Sequence, residues 1–416
     1  MNDIKEILEK VKRVSRKLNS FTDEERSQVL ITLSRLVDDN HSMLLEANGK
    51  DLAKMDKSNP LYDRLQLTDA RLEAISHDLR EVAGLPSPLG EVIEERVLPN
   101  GIELKRVRVP FGVVGVVYEA RPNVTFDVFA LCLKSGNAAV LKGGKDADES
   151  NKAIIGLIHK ALESCGFPED ACVLLPSTHE ATETMLKSVG LIDVCIPRGG
   201  RKLIDFVRDS AKVPVIETGA GVVHVYFDKD ADVEKAKKII DNAKTRRVSV
   251  CNALDSLLVH KDRILDLPAI LIPLAEKGVE IYADDEIFSY LDGKYPSKLL
   301  KKASPLDADR EWMDMKMGVY AVENLEQALE HIALHGSGHS ESIVTENEDA
   351  ARSFQLNVDA ACVYINLPTS FTDGGQFGLG AEVGISTQKL GPRGPMGLRE
   401  ITTYKHILSG DAQIRP

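Results

Sequence analysis

The sequence has few of the residues from which small proteins build covalent or metal-linked frameworks. Its 416 residues include six cysteines, and the closest two, Cys165 and Cys172, are seven positions apart. Because no CxxC pair and no zinc-ribbon spacing occur, neither a disulfide framework nor a cysteine-bound zinc is predicted. Cysteines scattered in this way are typically small buried side chains.

Long apolar runs and an excess of positive charge are also missing. No stretch approaches the roughly 18 apolar residues of a membrane span, and residues 1–20 lack the apolar core of a signal peptide. The 64 acidic side chains outnumber the 52 basic ones, which gives a net charge of −12. This balance argues against a general nucleic-acid or membrane-surface binder. We predict a soluble, cytoplasmic chain of two or three domains.

The sequence does contain an alternation of helical and strand patterns. The first ninety residues are predicted to be helical, and Thr22 with Glu25 is a capping-box signature before the second helix. Beyond residue 101, short β-rich runs alternate with longer helical stretches, as in parallel sheets covered by helices. We predict a strand at 213–217 and a loop-rich region at 284–317. An apolar stripe with helical spacing opens the chain: Ile4, Leu8, Val11, Val14 and Leu18.

Three glycine-rich segments follow predicted strands, at 142–145, 197–200 and 217–221. Neither GxGxxG nor GxxxxGK[ST] occurs, so no standard dinucleotide fingerprint or P-loop is predicted. The carboxyl ends of strands in an open α/β sheet are nevertheless where ligands bind. Gly199 and Gly200 lie just before a predicted helix and could present bare backbone amides to a phosphate.

Three histidines raise the alternative of a metal site. His331, His335 and His339 are spaced by four, which on one helix would stack them as ligands. Gly336 and Gly338 should end the helix before the third histidine, and no zincin glutamate accompanies them. We therefore predict no metal and interpret these histidines as a solvated helix face, with His339 in the loop that follows.

Cys251 is the cysteine whose neighbours suggest chemistry. Lys244, Arg246 and Arg247 lie just upstream, and nearby cations favour the thiolate, which is the nucleophilic form. Two interpretations stay open on residue types alone: a nucleophile or a buried core cysteine.

The order of these residues along the chain resembles the aldehyde dehydrogenase superfamily. A strand-end asparagine, a lysine after the next strand, a strand-end glutamate, a cysteine and a late Glu-x-Gly occur in that order: Asn123, Lys142, Glu217, Cys251 and Glu382. The strings at 109–115, 118–125, 338–342 and 371–378 resemble the branch that acts on glutamyl phosphate. The resemblance covers nearly the whole chain.

The resemblance implies a fold with two Rossmann-like α/β domains and a β-hairpin oligomerisation flap. An NADP-binding domain is expected at 1–92 and 111–218, a catalytic domain at 219–385, and the flap at 93–110 and 396–416. The flap would join subunits into a homo-oligomer.

The resemblance also implies roles for individual residues. Cys251 is expected to be the nucleophile and Asn123 the oxyanion donor, while Glu217 matches a general base that a reductive enzyme does not need. Arg121, His339 and Arg246 are candidates for binding the substrate's carboxylate or phosphate.

The remaining implied residues hold the cofactor. Lys142 and Glu382 match the residues at the two riboses, and Gly143, Gly199 and Gly200 are expected beside them. Lys145 stands where many NAD-dependent relatives have a glutamate, and a lysine would attract a 2′-phosphate. We therefore predict a preference for NADPH.

The activity implied is reduction of L-glutamyl 5-phosphate to L-glutamate 5-semialdehyde and phosphate, a step of proline biosynthesis. Two alternatives remain: a hydrolytic or CoA-acylating enzyme acting on a small acidic aldehyde, and a non-catalytic nucleotide-binding relative. A transient contact with glutamate 5-kinase, which makes the substrate, is left open.

Overall fold

The computed structural model describes residues 2–57, 59 and 61–415 and divides the chain into two compact units. Unit 1 comprises Met1–Thr218, Gly378–Gly384 and Pro395–Pro416, and unit 2 comprises Gly219–Phe377 and Ile385–Gly394. The roles expected for the domains stay predictions.

Unit 1 holds a four-stranded parallel sheet surrounded by helices. Its helices are α1 (Asn2–Lys17), α2 (Asp23–Asp39), α3 (His41–Leu52), α4 (Tyr62–Leu65), α5 (Asp69–Gly84), α6 (Asn123–Lys134), α7 (Asp148–Ser164), α8 (His179–Lys187) and α9 (Arg201–Ser210). Its strands in chain order are β1 (Val92–Val97), β2 (Glu103–Pro110), β3 (Val113–Tyr118), β4 (Ala138–Gly143), β5 (Cys172–Leu174) and β6 (Val194–Arg198).

The order of the parallel sheet is β5-β4-β3-β6. Every residue of β3 is buried, as expected of a continuous apolar run in the middle of a covered sheet. Tyr118, the last residue of β3, pairs with Gly143 of β4 on one side and with Arg198 of β6 on the other. The segments that follow these three strands therefore leave the sheet at one edge.

In the helical N-terminal part, the structure confirms two predictions from the sequence. All five residues of the apolar stripe are buried in one hydrophobic core. The capping box is present, since Thr22 Oγ1 accepts from the Glu25 N–H and Glu25 Oε2 accepts from the Thr22 N–H. Such a pair stabilises a helix start by about 1 kcal/mol.

Unit 2 is built on a seven-stranded sheet in which all pairings are parallel, in the order β10-β9-β11-β8-β7-β12-β13. The strands in chain order are β7 (His224–Phe227), β8 (Ser256–His260), β9 (Glu280–Ala283), β10 (Leu300–Lys302), β11 (Lys316–Val322), β12 (Ser340–Val344) and β13 (Cys362–Ile365). The helices are α10 (Val233–Thr245), α11 (Leu267–Glu276), α12 (Asp285–Leu291), α13 (Leu325–His335) and α14 (Glu348–Asn357).

Three strands complete the chain: the two-residue strands β14 (Ile385–Ser386) and β15 (Gly394–Pro395), and the longer β16 (Thr402–Ser409). Strand β16 pairs antiparallel with β2, which in turn pairs with β1, so that a separate three-stranded sheet forms within unit 1. All residues of β16 after Thr402 are exposed. This sheet contains the hairpin and the C-terminal segment expected to form the flap.

Two predictions of local structure are wrong. The segment 213–217 makes only an isolated bridge, between Val215 and Cys195, since Pro214 has no N–H with which to extend a ladder. The region 284–317 is not simply a loop, because it contains α12 and β10. Asp284 caps α12 by accepting from the Ile287 N–H at 2.8 Å.

No helix in the described part of the chain is both long and apolar enough to cross a membrane. Within the same residues, no group of three or more His, Cys, Asp or Glu side chains could hold a metal ion.

Candidate active site

Two lysines lie where β4 leaves the sheet of unit 1. Lys142 is half-buried, and burial together with the nearby Lys145 ammonium lowers its pKa. Lys145 is exposed and begins a short 3₁₀ turn. Two cations held this close repel each other, so the pair is suited to an anion that neutralises both.

Gly143 leaves room for the side chain beside it. A Cβ at this position would overlap Nδ2 of Asn151, whereas a Cβ at Gly144 would meet only ordinary contacts from 3.7 Å. The Asn151 side chain therefore packs directly against the backbone at the end of β4, which explains why a glycine stands at position 143.

The amide of Gly200 at the start of α9 is not bare, and the expectation on this point is wrong. Glu119, which follows β3, accepts a hydrogen bond from the Gly200 N–H through Oε2 at 2.9 Å. A Cβ at Gly199 would lie 2.5 Å from the same oxygen. A carboxylate thus occupies the end of α9 that favours negative charge.

Asn123 is the first residue of α6, and its side chain is held by the next turn of the helix. Its Nδ2 donates to Oδ2 of Asp127 at 3.1 Å. Burial raises the pKa of the Asp127 carboxyl to about 7, with Asp78 and Glu382 acting in the same direction and Arg198 in the opposite one. Asp127 therefore interacts both with the proposed oxyanion donor Asn123 and, electrostatically, with the proposed ribose ligand Glu382, all within unit 1.

The other two candidates of unit 1 lie in loops, Arg121 after β3 and Glu217 after α9. Arg121 is partly buried and lies two residues from Asn123. Glu217 is partly buried, and its Oε2 is 3.8 Å from Nη1 of Arg208. The neighbouring Thr218 donates through Oγ1 to the Pro197 carbonyl at the end of β6.

Cys251 lies in unit 2, in the turn between α10 and β8, and is partly buried. A Cβ at Gly221 would overlap the Cys251 carbonyl oxygen, so this approach of the two backbones requires glycine. The Gly221 N–H donates to Oε1 of Glu311 at 3.1 Å. No disulfide joins any of the six cysteines, all of which the structure describes.

The residue after Cys251 anchors its turn. Asn252 is buried, donates through Nδ2 to the Thr372 carbonyl at 2.9 Å, and accepts at its own carbonyl from Thr369 Oγ1. Thr372 Oγ1 in turn contacts Ser340 Oγ at 2.6 Å, and Ser340 Oγ contacts Nδ1 of His339 at 2.7 Å. A continuous hydrogen-bond network thus links the turn of the cysteine to His339.

The cations upstream of Cys251 differ in their surroundings. Arg246 and Arg247 are exposed. Lys244 is buried, donates to the Leu254 carbonyl at 2.9 Å, and has its pKa lowered by burial. Burial also raises the pKa of the carboxyl of Asp255, to which Lys244 is electrostatically coupled. Of the three, only the arginines are open to a dissolved anion.

The histidines do not form a solvated helix face, and that interpretation is wrong. Helix α13 ends at His335, with Gly336 as its C-cap, and His335 pairs with Asp309 at 2.8 Å. His331 packs between the rings of Tyr320 and His335, and burial lowers its pKa to about 3. His331 is thus partly buried against neighbouring rings, and His335 is held by an ion-pair partner rather than by solvent alone.

His339 is fully buried, and burial lowers its pKa to about 4. Its ring is uncharged at neutral pH and therefore carries no positive charge that would attract an anion. Nε2 has no hydrogen-bond partner among the described residues.

Three contacts of candidate residues, made by Asp127 and Glu119 in unit 1 and by Gly221 in unit 2, were not predicted from the sequence. Asp127 could have been found, because positions i and i+4 of a helix face each other and Asn123 begins α6. The contacts of Glu119 with Gly200 and of Gly221 with Cys251 join segments 81 and 30 residues apart. Nothing local in the sequence signals either contact.

Comparison with known proteins decides the family. A model of the aldehyde dehydrogenase family matches residues 1–278. The gamma-glutamyl phosphate reductase of Pelodictyon phaeoclathratiforme is 55% identical over 406 residues, 98% of this chain and 97% of that protein. The chain belongs to the aldehyde dehydrogenase family, in its gamma-glutamyl phosphate reductase branch. The enzyme of the same name from Bacteroides thetaiotaomicron is also 55% identical, over 97% of each chain.

A solved structure agrees with this placement. The crystal structure of gamma-glutamyl phosphate reductase from Thermotoga maritima superposes with a TM-score of 0.94 at 40% identity, covering 99% of this chain and 100% of that one. The predicted α/β, aldehyde-dehydrogenase-like fold and the predicted enzyme class are confirmed. The family implies a nicotinamide cofactor, and these relatives do not favour a hydrolytic or CoA-acylating enzyme.

Proposed function

We propose that this chain reduces L-glutamyl 5-phosphate with NADPH to L-glutamate 5-semialdehyde and inorganic phosphate, in proline biosynthesis, through a thioester on Cys251. The observation that carries the proposal is the way Cys251 is held. Gly221 on one side and the anchored Asn252 on the other set the turn of this partly buried cysteine. A core cysteine needs neither constraint, whereas a nucleophile needs a fixed position.

The chemistry follows from a thiolate attacking an acyl phosphate. The Cys251 sulfur forms a bond to the carbonyl carbon, the C–O bond to phosphate breaks, and inorganic phosphate leaves with the bonding electron pair. A bound NADPH supplies the hydride that reduces the resulting thioester. The C–S bond then breaks, which releases the aldehyde and restores the thiolate. Overall, one NADPH and one proton are consumed for each acyl phosphate.

The oxygen of the attacked carbonyl carries negative charge in each tetrahedral intermediate. The side-chain amide of Asn123 and the backbone N–H of Cys251 are the proposed donors to this oxygen. A donor aimed at such an oxyanion contributes about 10²- to 10³-fold in rate. Because the thioester is reduced rather than hydrolysed, Glu217 is not needed to activate water.

The cofactor residues in unit 1 fit an anionic dinucleotide. Lys142 and Lys145 form a cationic pair where β4 ends, which supports binding of the adenosine ribose and its 2′-phosphate. The start of α9, at Gly199 and Gly200, is proposed to bind the pyrophosphate in competition with the Glu119 carboxylate that accepts from the Gly200 N–H. Glu382 is proposed to bind the nicotinamide ribose.

The substrate carries two anionic ends, a phosphate and an α-carboxylate. Arg121 and the exposed Arg246 are the proposed cationic partners. His339 is proposed to donate a hydrogen bond to the substrate as a neutral ring, which requires the buried Nε2 to become accessible when the substrate binds; Nε2 has no partner among the described residues.

We further propose that the protein is a cytoplasmic homo-oligomer. Strand β16 is an edge strand with exposed side chains, including Tyr404 and Leu408. Exposed edges pair readily with another strand, and a second copy of the flap would cover this one. A transient contact with glutamate 5-kinase would shorten the path of a reactive acyl phosphate.

The test is phosphate-dependent reduction of NADP⁺ by glutamate semialdehyde, the reverse reaction. We expect activity in the wild type that requires phosphate and is lost in Cys251→Ser. Cys165→Ser, at another partly buried cysteine, is the matched control and should remain active. An inactive wild type would overturn the activity, while an active Cys251→Ser would remove only the nucleophile.

A further inference from the structure

We infer that Asp127 is a positioning residue, which orients the side-chain amide of Asn123 by accepting one of its N–H groups. The inference rests on the proposed function, since Asn123 is there the donor to the oxyanion. Its observation is the 3.1 Å hydrogen bond from Asn123 Nδ2 to Asp127 Oδ2.

The chemistry of the two groups explains why a carboxylate suits this task. An asparagine side chain has a donating and an accepting end, and rotation by 180° exchanges them. An ionised carboxylate only accepts, so it selects the Nδ2 end of Asn123. The second N–H on Nδ2 is then available for an oxyanion, whereas the exchanged rotamer would present a repelling carbonyl oxygen.

The surroundings of Asp127 disfavour the ionised form of its carboxyl. It is partly buried, and two further carboxyls face it, Asp78 from α5 and Glu382 from the segment at 378–384. Arg198 at the end of β6 is a cation that acts against these carboxyls. A surface helix pair would not need such an environment, and costly carboxyls of this kind cluster at functional sites.

The same surroundings make the interaction sensitive to pH. Burial raises the pKa of Asp127 to about 7. A protonated Asp127 donates as well as accepts, so it no longer selects the Nδ2 end of Asn123. Activity should therefore fall as the pH drops through about 7.

The test uses the NADP⁺-reduction assay with four single variants and one double variant. In Asp127→Ala we expect kcat at pH 8.5 to fall about 10- to 100-fold, since an oxyanion donor that is no longer oriented loses part of its effect. The KM values for NADP⁺ and glutamate semialdehyde should stay within about twofold. Because Asp127 acts through Asn123, the variant Asn123→Ala/Asp127→Ala should be no slower than Asn123→Ala alone.

The other two variants test whether protonation of Asp127 causes the loss of activity near pH 7. Asp127→Asn donates as well as accepts, like the protonated carboxyl, so its kcat at pH 8.5 should be reduced and the loss near pH 7 should disappear from its profile. In Asp78→Asn, which does not touch Asn123, the loss should move to lower pH, because Asp78 raises the pKa of Asp127. Asp127→Asn also serves if Asp127→Ala does not fold.

The outcomes separate this inference from the proposed function. Additive losses in the double variant, an unchanged kcat in Asp127→Ala, or identical pH profiles in the wild type and Asp127→Asn would each overturn the role of Asp127 alone. A wild type without phosphate-dependent activity would overturn both the function and the inference. A fully active Asn123→Ala would remove the oxyanion donor and, with it, the role of Asp127.

Discussion

Gly221 and the carbonyl of Cys251 approach so closely that no side chain fits between them. A Cβ at Gly221 would overlap the Cys251 carbonyl oxygen and lie 3.0 Å from the Cys251 Cα. The obstructing atoms are backbone, which cannot rotate away as a flexible side chain could. The position of the proposed nucleophile therefore depends on a residue 30 positions earlier in the chain.

Gly221→Ala should displace Cys251 and reduce kcat about 100-fold, because a shift of about 1 Å in a reacting group can cost that much. Gly156→Ala is the matched control: Gly156 lies within α7, and a methyl group added there would meet no neighbouring group within 4 Å, so this variant should keep full activity. It should also gain up to about 1 kcal/mol of stability from helix propensity. Equal activity in Gly221→Ala and Gly156→Ala would contradict the view that the position of Cys251 depends on a glycine at 221.

The contact between Glu119 and Gly200 predicts competition with the cofactor. A carboxylate at the start of α9 stands where the pyrophosphate is proposed to bind. Glu119→Gln keeps an acceptor for the Gly200 N–H but removes the charge, and should lower KM for NADPH about three- to tenfold. Glu163→Gln, an exposed site on α7 with the same change in charge, should leave KM unchanged. A higher KM in Glu119→Gln would show that Glu119 assists binding instead.

The order of helices and strands was predictable because most elements carry a local signal. The run of valines in β3 marks a buried strand, and the stripe in α1 has the spacing of a helix face. The signal failed at 213–217, where apolar residues favour a strand but the ladder needs N–H donors that Pro214 cannot supply. It also failed for α12, a short helix defined mainly by its cap at Asp284.

Candidate site residues could be proposed from the sequence only where a residue's own type or its place in the order along the chain suggests the chemistry, and their roles stay predictions. Cys251, Asn123 and Lys142 could be proposed from the order of residues along the chain. Their supporting groups could not, since the carboxyls around Asp127 come from α5 and from residue 382. The neutral state of His339 could not be predicted from the sequence either, because it results from burial of the ring in the folded protein.

Cofactor preference should depend on Lys145. Its ammonium lies close enough to Lys142 to lower the pKa of that side chain, so a 2′-phosphate would neutralise two cations. Lys145→Glu should reduce the preference for NADPH over NADH, measured as the ratio of kcat/KM, about tenfold or more. Lys160→Glu, exposed on α7, makes the same change in net charge and should leave the ratio unaltered. An equal ratio in wild type and Lys145→Glu would refute the assignment.

The partly buried His331 should make the stability of unit 2 depend on pH. Burial lowers its folded pKa to about 3, below the value of about 6.5 for an unfolded chain. Its contribution is therefore complete above pH 6.5 and is lost as the pH falls from 6.5 toward 3. His331→Phe keeps an aromatic ring beside Tyr320 but cannot titrate.

Between pH 7 and pH 5, the free energy of unfolding of the wild type should therefore fall by about 1–2 kcal/mol relative to His331→Phe. Urea unfolding followed by the fluorescence of Trp312 measures this, because Trp312 is the single tryptophan, is buried, and belongs to unit 2. The comparison at pH 8, where both side chains are uncharged, isolates the effect of packing. A difference between the two proteins that is the same at pH 7 and pH 5 would mean that His331 gains no proton on unfolding.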